Sequence, residues 1–329
     1  MASYVVTGGA GFIGSNLVEA LEARGDDVIV VDEFGHDAKW RNLAKRRLYD
    51  VVAPGQLFPR LDSLTQKPKA IFHCGAISAT TETDVDLIVE TNFRLSCRIW
   101  RWCAEQDVPL IYASSAATYG EGSQGWRDDD DSAHLAALRP LNAYGWSKHL
   151  FDRWAVHRVE TGLSAPPRWA GLKFFNVYGP NEAHKGPQRS VASQIFDQIA
   201  AGQNARLFRS EHPDYPDGGQ LRDFVWVGDC VDAALWFADG SPPNGLYNIG
   251  SGKARSFTDL ARAAYAALGR EPQFEFVAMP AALAAKYQYF TEADMTKLQA
   301  AGWNRQPLAL EDGVRRYYQE FLTQPDPYR

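Results

Sequence analysis

Two residues four apart, Tyr144 and Lys148, have side chains suited to moving a proton. On a helix this spacing puts both side chains on one face, a turn apart. A free tyrosine has a pKa of about 10 and is a poor base at neutral pH, but a nearby ammonium group lowers that pKa by favouring the phenolate. Ser115, in the stretch ASSAATYG, can hydrogen-bond the same substrate hydroxyl. These residues predict an acid/base device that moves a proton while a hydride moves to or from a nicotinamide.

A glycine-rich turn near the start of the chain is suited to binding the nicotinamide cofactor. The stretch TGGAGFIG follows an apolar run at 4–6, which predicts a buried strand, and precedes a helix predicted over 15–24. Gly8 permits a tight turn, Gly11 lets a pyrophosphate approach the backbone, and Gly14 lets helix and strand pack closely. The N–H groups at the start of the helix can then bind phosphate. The pattern predicts a dinucleotide site, in which Lys148 can hold the ribose of the nicotinamide.

The end of the second predicted strand bears on which dinucleotide binds. Asp32 follows the apolar run 28–31, close to the offset of about 20 residues expected for a carboxylate that binds the adenosine ribose. Such a carboxylate repels a 2′-phosphate and favours NAD. Lys39 and Arg41 follow closely, however, and can bind that phosphate. The residue types here leave both NAD and NADP open.

Strands and helices alternate through the first half of the chain. Further predicted strands, each followed by small or polar residues, are 70–73, 108–112 and 169–175. A long helix is predicted over 84–103. This alternation predicts a Rossmann-like doubly wound parallel sheet with helices on both faces. We expect a dinucleotide-binding domain at 1–176, with return segments near 221–250, and a smaller α/β lobe at 177–329 that mainly binds substrate.

Two acidic features have structural interpretations. The run of four aspartates at 128–131 predicts a solvated loop, because nothing around it would hold the carboxylates as metal ligands. Asp229 follows the alternating strand 222–227 and is expected to cap the next helix. We therefore predict no metal site.

Composition bounds the partners and the compartment. The chain has 329 residues, of which 45% are hydrophobic, so it can bury a large core. Its net charge of −6 and absence of a basic face argue against a nucleic-acid partner. No apolar run approaches the ~20 residues of a membrane span. The first strand leaves no room for a signal peptide, and the four cysteines form no CxxC pair, so we expect a reduced, cytoplasmic location.

Taken together, these motifs resemble the extended short-chain dehydrogenase/reductase superfamily. The stretches that carry the resemblance are TGGAGFIG, SSAATYG, YGWSK and RDFVWVGD. Within that superfamily the chain resembles the ADP-L-glycero-D-manno-heptose 6-epimerase family, on the stretches ASSAATYG, FNVYGP, EAHKG, RDFVWV and KYQYFTEAD. The resemblance implies an isomerase that inverts C6 of ADP-D-glycero-D-manno-heptose by transient oxidation and re-reduction with a bound nicotinamide, for lipopolysaccharide core synthesis.

The resemblance also implies roles for single residues. Tyr144 and Lys185 become the two bases, one for each face of the transient ketone. A lysine on a loop, partly desolvated by closure, can have its pKa lowered enough for this role. Besides the three glycines and Lys148, the implied cofactor contacts are Phe12, Ile13, Asp32, Glu33, Lys39, Cys74, Gly75, Ala76, Ile77, Ser78, Asn92 and Val177. The implied contacts with the ADP-sugar are Ser115, Asn176, Gln194, Phe208, Arg209, Ser210, Glu211, Arg222 and Tyr287.

Alternatives stay open at several of these positions. Asn92 can instead bridge its helix to a loop. The resemblance names NADP as cofactor, but no basic residue is evident at 53–56, so NAD is the alternative. Cys74 stands where an acidic residue is expected, and 213–220 has the character of an insertion near the nucleotide site.

The assembly and the function also have alternatives. The resemblance suggests a homo-oligomer, with a pentamer as one form. Another nucleotide-sugar epimerase, such as a UDP-hexose 4-epimerase, is the rival function. A non-catalytic dinucleotide-sensing protein is a third interpretation. Intact Ser115, Tyr144 and Lys148 argue against the sensor, which needs only the phosphate-binding turn.

Overall fold

A mixed α/β fold is built on one large parallel sheet, in a computed structural model that describes residues 3–36, 38–280 and 287–329. The strands within the described residues are β1 (Ser3–Thr7), β2 (Asp27–Val31), β3 (Asp50–Val52), β4 (Ile71–His73), β5 (Leu110–Ser115), β6 (Trp169–Phe174), β7 (Asn176–Tyr178), β8 (Ala205–Phe208), β9 (Leu221–Trp226), β10 (Gly245–Ile249), β11 (Ala254–Ser256) and β12 (Phe274–Val277). Seven of them form the main sheet, in the order β10-β6-β5-β4-β1-β2-β3.

Helices cover both faces of this sheet. Those in the described residues are α1 (Phe12–Ala23), α2 (Leu57–Asp62), α3 (Val85–Ile88), α4 (Leu95–Gln106), α5 (Ser132–Ala137), α6 (Ala143–Glu160), α7 (Val191–Ala200), α8 (Val227–Asp239), α9 (Phe257–Ala267), α10 (Thr296–Ala300) and α11 (Leu310–Tyr317). Leu17 of α1 and Phe237 of α8 pack on one face, and Trp100 of α4 and Phe151 of α6 pack on the other. The predicted Rossmann-like doubly wound sheet is confirmed. None of the described helices has the length and apolar character needed to cross a membrane.

The strands of the main sheet form because their apolar runs can be buried on both faces. Residues 28–31 of β2 are all buried, as are Val5 and Val6 of β1. Parallel strands covered by helices on both sides read as continuous apolar runs rather than alternating ones. The carboxyl ends of these strands lie at one edge of the sheet, and the turns that follow them gather there.

A second, smaller core lies beyond the main sheet. There β8 pairs with β12, and β9 lies between β7 and β11. Helices α7, α9 and α11 cover these strands, with Ile195, Leu260 and Val314 buried in one cluster.

The acidic run at 128–131 is not a solvated loop, and that prediction is wrong. Asp128 is buried, and its carboxylate accepts the backbone N–H of Asn248 at 2.7 Å. Asp130 forms an ion pair with Lys297 at 2.8 Å. The run therefore binds along the outer strand β10, where the carboxylates satisfy backbone and side-chain donors.

The expected N-cap at Asp229 is also wrong. Helix α8 begins two residues earlier, at Val227, and Trp226 is its N-cap. The Asp229 carboxylate instead accepts the backbone N–H of Leu308 at 2.9 Å. It thereby ties the first turn of α8 to the segment before α11.

Candidate active site

The glycine-rich turn after β1 packs directly on the turn after β4. Gly8 has a φ of +67°, and a Cβ at this position would lie 2.6 Å from the backbone nitrogen of Gly75. A Cβ on Gly14 would lie 2.1 Å from the carbonyl oxygen of Gly8. Only glycine allows these backbones to approach so closely. The start of α1 is thus held at the sheet edge, where helix N–H groups can face a pyrophosphate.

Asp32 is already bound by protein groups. Its carboxylate accepts the backbone N–H of Ala10 at 2.8 Å and pairs with the Lys39 ammonium at 2.5 Å. Lys39 also donates to the backbone carbonyl of Glu33, whose side chain is exposed. The ion pair offsets the charge of Asp32 next to the dinucleotide turn.

Asn92 holds the turn at 74–78 in place. This residue is buried, and its side-chain oxygen accepts the N–H of Ile77 at 2.8 Å while its amide donates to the Ile77 carbonyl at 2.9 Å. The amide also donates to the Ser147 hydroxyl at 3.0 Å. The structure thus supports the helix-to-loop alternative, in which Asn92 links the turn that contains Cys74 to α6.

Helix α6 brings Tyr144 to the turn that follows β5. Asn142 caps the helix by accepting the N–H of Gly145 at 2.8 Å. A Cβ at Gly145 would lie 2.7 Å from the carbonyl oxygen of Ala117, so this glycine lets helix and turn meet. The Ser115 side chain lies near the Tyr144 hydroxyl, close enough to act on its pKa. Sequence reasoning missed Gly145, although it stands inside the quoted YGWSK stretch.

Burial sets the ionisation of these groups. It raises the pKa of Tyr144, an effect that the nearby Ser115 hydroxyl opposes. The expected lowering of the Tyr144 pKa is therefore wrong. Lys148 donates its ammonium hydrogen to the Ala113 carbonyl at 2.8 Å, and burial lowers its own pKa to about 8.

Lys185 lies in a short 3-10 turn, Ala183–Gln188, over the start of α1. Its ammonium nitrogen is 5.4 Å from the centre of the Phe12 ring, beside the dinucleotide turn. Burial lowers the pKa of Lys185, and the charge of Glu182 raises it. The lysine is thus half-buried and less basic than a solvated one.

Glu182 anchors this turn, a role that sequence reasoning missed. Its buried carboxylate accepts the backbone N–H and the hydroxyl of Ser190, the latter at 2.6 Å, and the hydroxyl of Tyr317 at 3.0 Å. Gln194 supports the same segment, because its amide donates to the Arg189 carbonyl at 2.8 Å. The only sequence signal for Glu182 was its place in the EAHKG stretch.

A second cluster surrounds Arg222 on β9. The guanidinium is buried, 4.9 Å from the centre of the Tyr287 ring and 5.6 Å from that of Phe257. The ionisable groups whose charges act on the guanidinium are those of Tyr287 and Tyr215. Phe208 packs edge-on against Tyr287, with ring centres 6.4 Å apart. A buried guanidinium between aromatic rings is suited to an anionic ligand such as a pyrophosphate.

The remaining residues implied for the sugar nucleotide lie around this cluster. Asn176 is exposed and its side-chain oxygen accepts the Thr291 hydroxyl at 3.4 Å. The others are Arg209, Ser210 and Glu211 in the loop after β8. Val177, an implied cofactor contact, is half-buried on β7. Of the KYQYFTEAD stretch, Lys286 falls outside the described residues.

Comparison with known proteins identifies the family. Residues 4–250 match the model of the NAD dependent epimerase/dehydratase family. The chain belongs to this family. It is 48% identical to an ADP-L-glycero-D-manno-heptose-6-epimerase of Nitratidesulfovibrio vulgaris (strain DP4), with 99% of both chains covered. A protein of the same name from Fusobacterium nucleatum is 42% identical, over 98% of this chain and 99% of its own. The family resemblance is confirmed, and the chain is an epimerase, that is, an isomerase.

Solved structures agree with this assignment. An ADP-L-glycero-D-manno-heptose-6-epimerase from Helicobacter pylori matches with a TM-score of 0.79 and 26% identity, over 97% of this chain and 96% of that one. A UDP-glucose 4-epimerase of Thermus thermophilus, solved with NAD, matches with a TM-score of 0.71 and 27% identity, over 96% and 97%. The epimerase therefore has a Rossmann-like fold and a nicotinamide dinucleotide as its cofactor class.

Proposed function

We propose that this epimerase inverts C6 of ADP-D-glycero-D-manno-heptose to give ADP-L-glycero-D-manno-heptose, for lipopolysaccharide core synthesis. The observation that carries the chemistry is the placement of Ser115 beside Tyr144, with Lys148 one helical turn further on and Lys185 on a separate turn over Phe12. The heptose assignment is supported by the names of full-length relatives at 42% and 48% identity.

The residues present fit a nicotinamide dinucleotide. The backbones of Gly8 and Gly75 leave no room for side chains, and α1 begins directly beside them. A bound nicotinamide would supply the hydride chemistry at C6, as acceptor in the oxidation and as donor to the opposite face in the reduction. Tyr144 exchanges the proton of the C6 oxygen on one face while Ser115 hydrogen-bonds that oxygen. Lys185 exchanges the proton on the other face, and Lys148 holds the ribose.

We propose NADP as the cofactor, with NAD as the alternative. The support is the ion pair of Lys39 with Asp32, because it offsets the carboxylate that would repel a 2′-phosphate, and the exposed Arg41 nearby. Replacement Lys39→Met should weaken NADP binding about tenfold and NAD binding much less, by calorimetric titration of each dinucleotide. Equal weakening of both would favour NAD.

The arrangement of the chain and its assembly complete the proposal. Residues 1–176, with return segments near 221–250, would hold the dinucleotide, and 177–329 would mainly hold the sugar nucleotide. Buried Arg222, between Tyr287 and Phe257, would bind the ADP pyrophosphate. We also propose a cytoplasmic homo-oligomer, with a pentamer as the first form to test by light scattering.

The reaction is tested by proton NMR of ADP-D-glycero-D-manno-heptose incubated with the purified protein. The expected result without added cofactor is an equilibrium mixture of the two C6 epimers, and mass analysis of the released nucleotide then decides between NADP and NAD. Absence of conversion, even with each dinucleotide supplied, would exclude the heptose assignment. Conversion of a UDP-hexose instead would establish the rival epimerase.

A further inference from the structure

A fully buried ion pair lies behind the acid/base residues. Asp152 of α6 and Lys173 of β6 are both 0% exposed, and their carboxylate and ammonium groups are 2.9 Å apart. The carboxylate also accepts the hydroxyls of Tyr112 at 3.0 Å and Ser114 at 2.6 Å. Burying two charges is unfavourable unless their remaining hydrogen-bonding capacity is also met. Here the Asp152 carboxylate accepts hydrogen bonds from Tyr112, Ser114 and Lys173, which satisfies its oxygens.

The pair joins the helix and the strand that carry the acid/base groups. Ser114 precedes Ser115 on β5, so its bond to Asp152 fixes the strand end that presents the serine. Asp152 follows Lys148 by four residues on α6 and therefore lies one turn from it. One carboxylate thus sets the position of α6 on β5.

Lys173 links the same carboxylate to the turn after β5. Its ammonium donates to the Thr118 hydroxyl at 2.8 Å, and that hydroxyl donates to the Ser115 carbonyl at 2.9 Å. The ammonium also lies 4.9 Å from the centre of the Tyr119 ring. Both sides of Ser115 are therefore tied to the buried pair.

We propose that Asp152 is a positioning residue for the acid/base device: it fixes α6 on β5 and holds a negative charge one turn from the Lys148 ammonium, with Lys173 as its counter-ion. This inference rests on the proposed function for the roles of Ser115, Tyr144 and Lys148. Since neither Asp152 nor Lys173 has exposed surface, both act through those residues rather than on the substrate.

The other groups around Lys148 leave the effect of the Asp152 charge on the Lys148 pKa measurable. Asp152 on its own helix favours the ammonium form, and the Cys74 thiol at the end of β4 would do so as a thiolate. His73, also of β4, is buried, and its pKa is lowered to about 3, so it is neutral at the pH of interest. Tyr144, one turn earlier, has a raised pKa and is likewise neutral. Asp152 is therefore the main charged group that opposes the effect of burial on Lys148.

The test measures the affinity for NADP against pH, by quenching of tryptophan fluorescence, and needs no substrate. Because protonated Lys148 donates to the ribose hydroxyls, affinity should fall as the pH rises through the Lys148 pKa of about 8. Lys148→Met should lose this dependence. Asp152→Asn should move the midpoint down by roughly one pH unit. Ser114→Ala, which removes one hydrogen bond and keeps every charge, is the matched control and should leave the midpoint in place.

Asp152→Asn leaves the Lys173 ammonium buried and unpaired, so the double variant Asp152→Asn/Lys173→Met guards against loss of folding. It lacks the negative charge of Asp152 and also the positive charge of Lys173, so the midpoint should move in the same direction but by less than in Asp152→Asn. An unmoved midpoint in a folded variant would overturn the proposal and leave the pair a purely structural role. A shifted midpoint in a protein that fails to epimerise the heptose would support the inference and refute only the proposed reaction.

Discussion

The two groups proposed to transfer protons are held in different ways. Tyr144 lies on α6, an 18-residue helix that packs against the main sheet and is hydrogen-bonded to β5 through Asp152. Lys185 lies in a six-residue 3-10 turn in which Gly186 has a φ of +54°. A helix fixes a side chain through its own backbone ladder, whereas the turn depends on side-chain anchors such as the buried carboxylate of Glu182 and the amide of Gln194.

Burial acts on the two groups in opposite senses. It raises the pKa of Tyr144 and lowers that of Lys185, so it favours the neutral phenol and the neutral amine. A neutral phenol is an acid and a neutral amine is a base. One proton donor and one proton acceptor on separate elements are what inversion requires, because oxidation releases a proton from the C6 oxygen and reduction returns one.

The largest effect is expected when the hydroxyl of Tyr144, the group held on a helix, is removed. Tyr144→Phe should lower kcat about 10³-fold, because it removes the hydroxyl proposed to exchange the proton of the C6 oxygen. Binding of the dinucleotide, followed by tryptophan fluorescence, should be unchanged. Tyr247→Phe is the control, since Tyr247 lies on the outer strand β10 and its hydroxyl donates to the carbonyl of Pro243, just before that strand. Wild-type turnover in Tyr144→Phe would show that the proposed base is wrong.

Removing the amine on the turn should have a smaller effect. Lys185→Met should lower kcat about 10²-fold, because water or a rotated ketone can partly replace an acceptor on a loop. The rate is measured by NMR of the C6 epimers, with Lys67→Met, which loses only a bond to the Gln106 carbonyl, as control. An undiminished rate would favour a single base, Tyr144, and rotation of the ketone.

The sequence could predict the regular elements that carry Tyr144 better than the turn that carries Lys185. The strands and helices of the main sheet follow from apolar periodicity, and α1 differs from its predicted bounds mainly because its first turn contains Phe12 directly after a glycine. The short β3 and α2 were missed, since three and six residues give little pattern. The family motifs supplied the site residues around Ser115, whose geometry follows from regular elements.

Features that depend on distant contacts could not be predicted. The anchor of the Lys185 turn involves Tyr317, which is 135 residues beyond Glu182 in the chain. The pKa of Tyr144 was expected to fall because spacing shows Lys148 but does not show burial. The buried contact of Asp128 was missed for the same reason, because its partner lies on β10.

Ser115→Ala tests whether the hydroxyl beside Tyr144 contributes to the proton transfer or only to binding. The hydroxyl lies near that of Tyr144 and accepts the N–H of Ala117 at 3.1 Å. Its loss should lower kcat about tenfold and leave the KM for the sugar nucleotide within about twofold, since its proposed hydrogen bond to the substrate oxygen matters most as the proton moves. Ser115→Thr should restore most of the rate. A large rise in KM with kcat unchanged would instead make Ser115 a binding residue only.

Glu182→Gln tests whether the turn is tuned by charge or only by shape. A glutamine oxygen can accept the Ser190 N–H, and its amide can donate to the Ser190 and Tyr317 hydroxyls, so the anchor can be kept. The charge that raises the Lys185 pKa is lost, which lowers this pKa further. In the direction where Lys185 accepts the proton, its neutral form then persists to lower pH. The ratio of kcat/KM at pH 6 to that at pH 8 should rise about threefold. Loss of activity at every pH with an unchanged ratio would mean that Glu182 acts through shape alone.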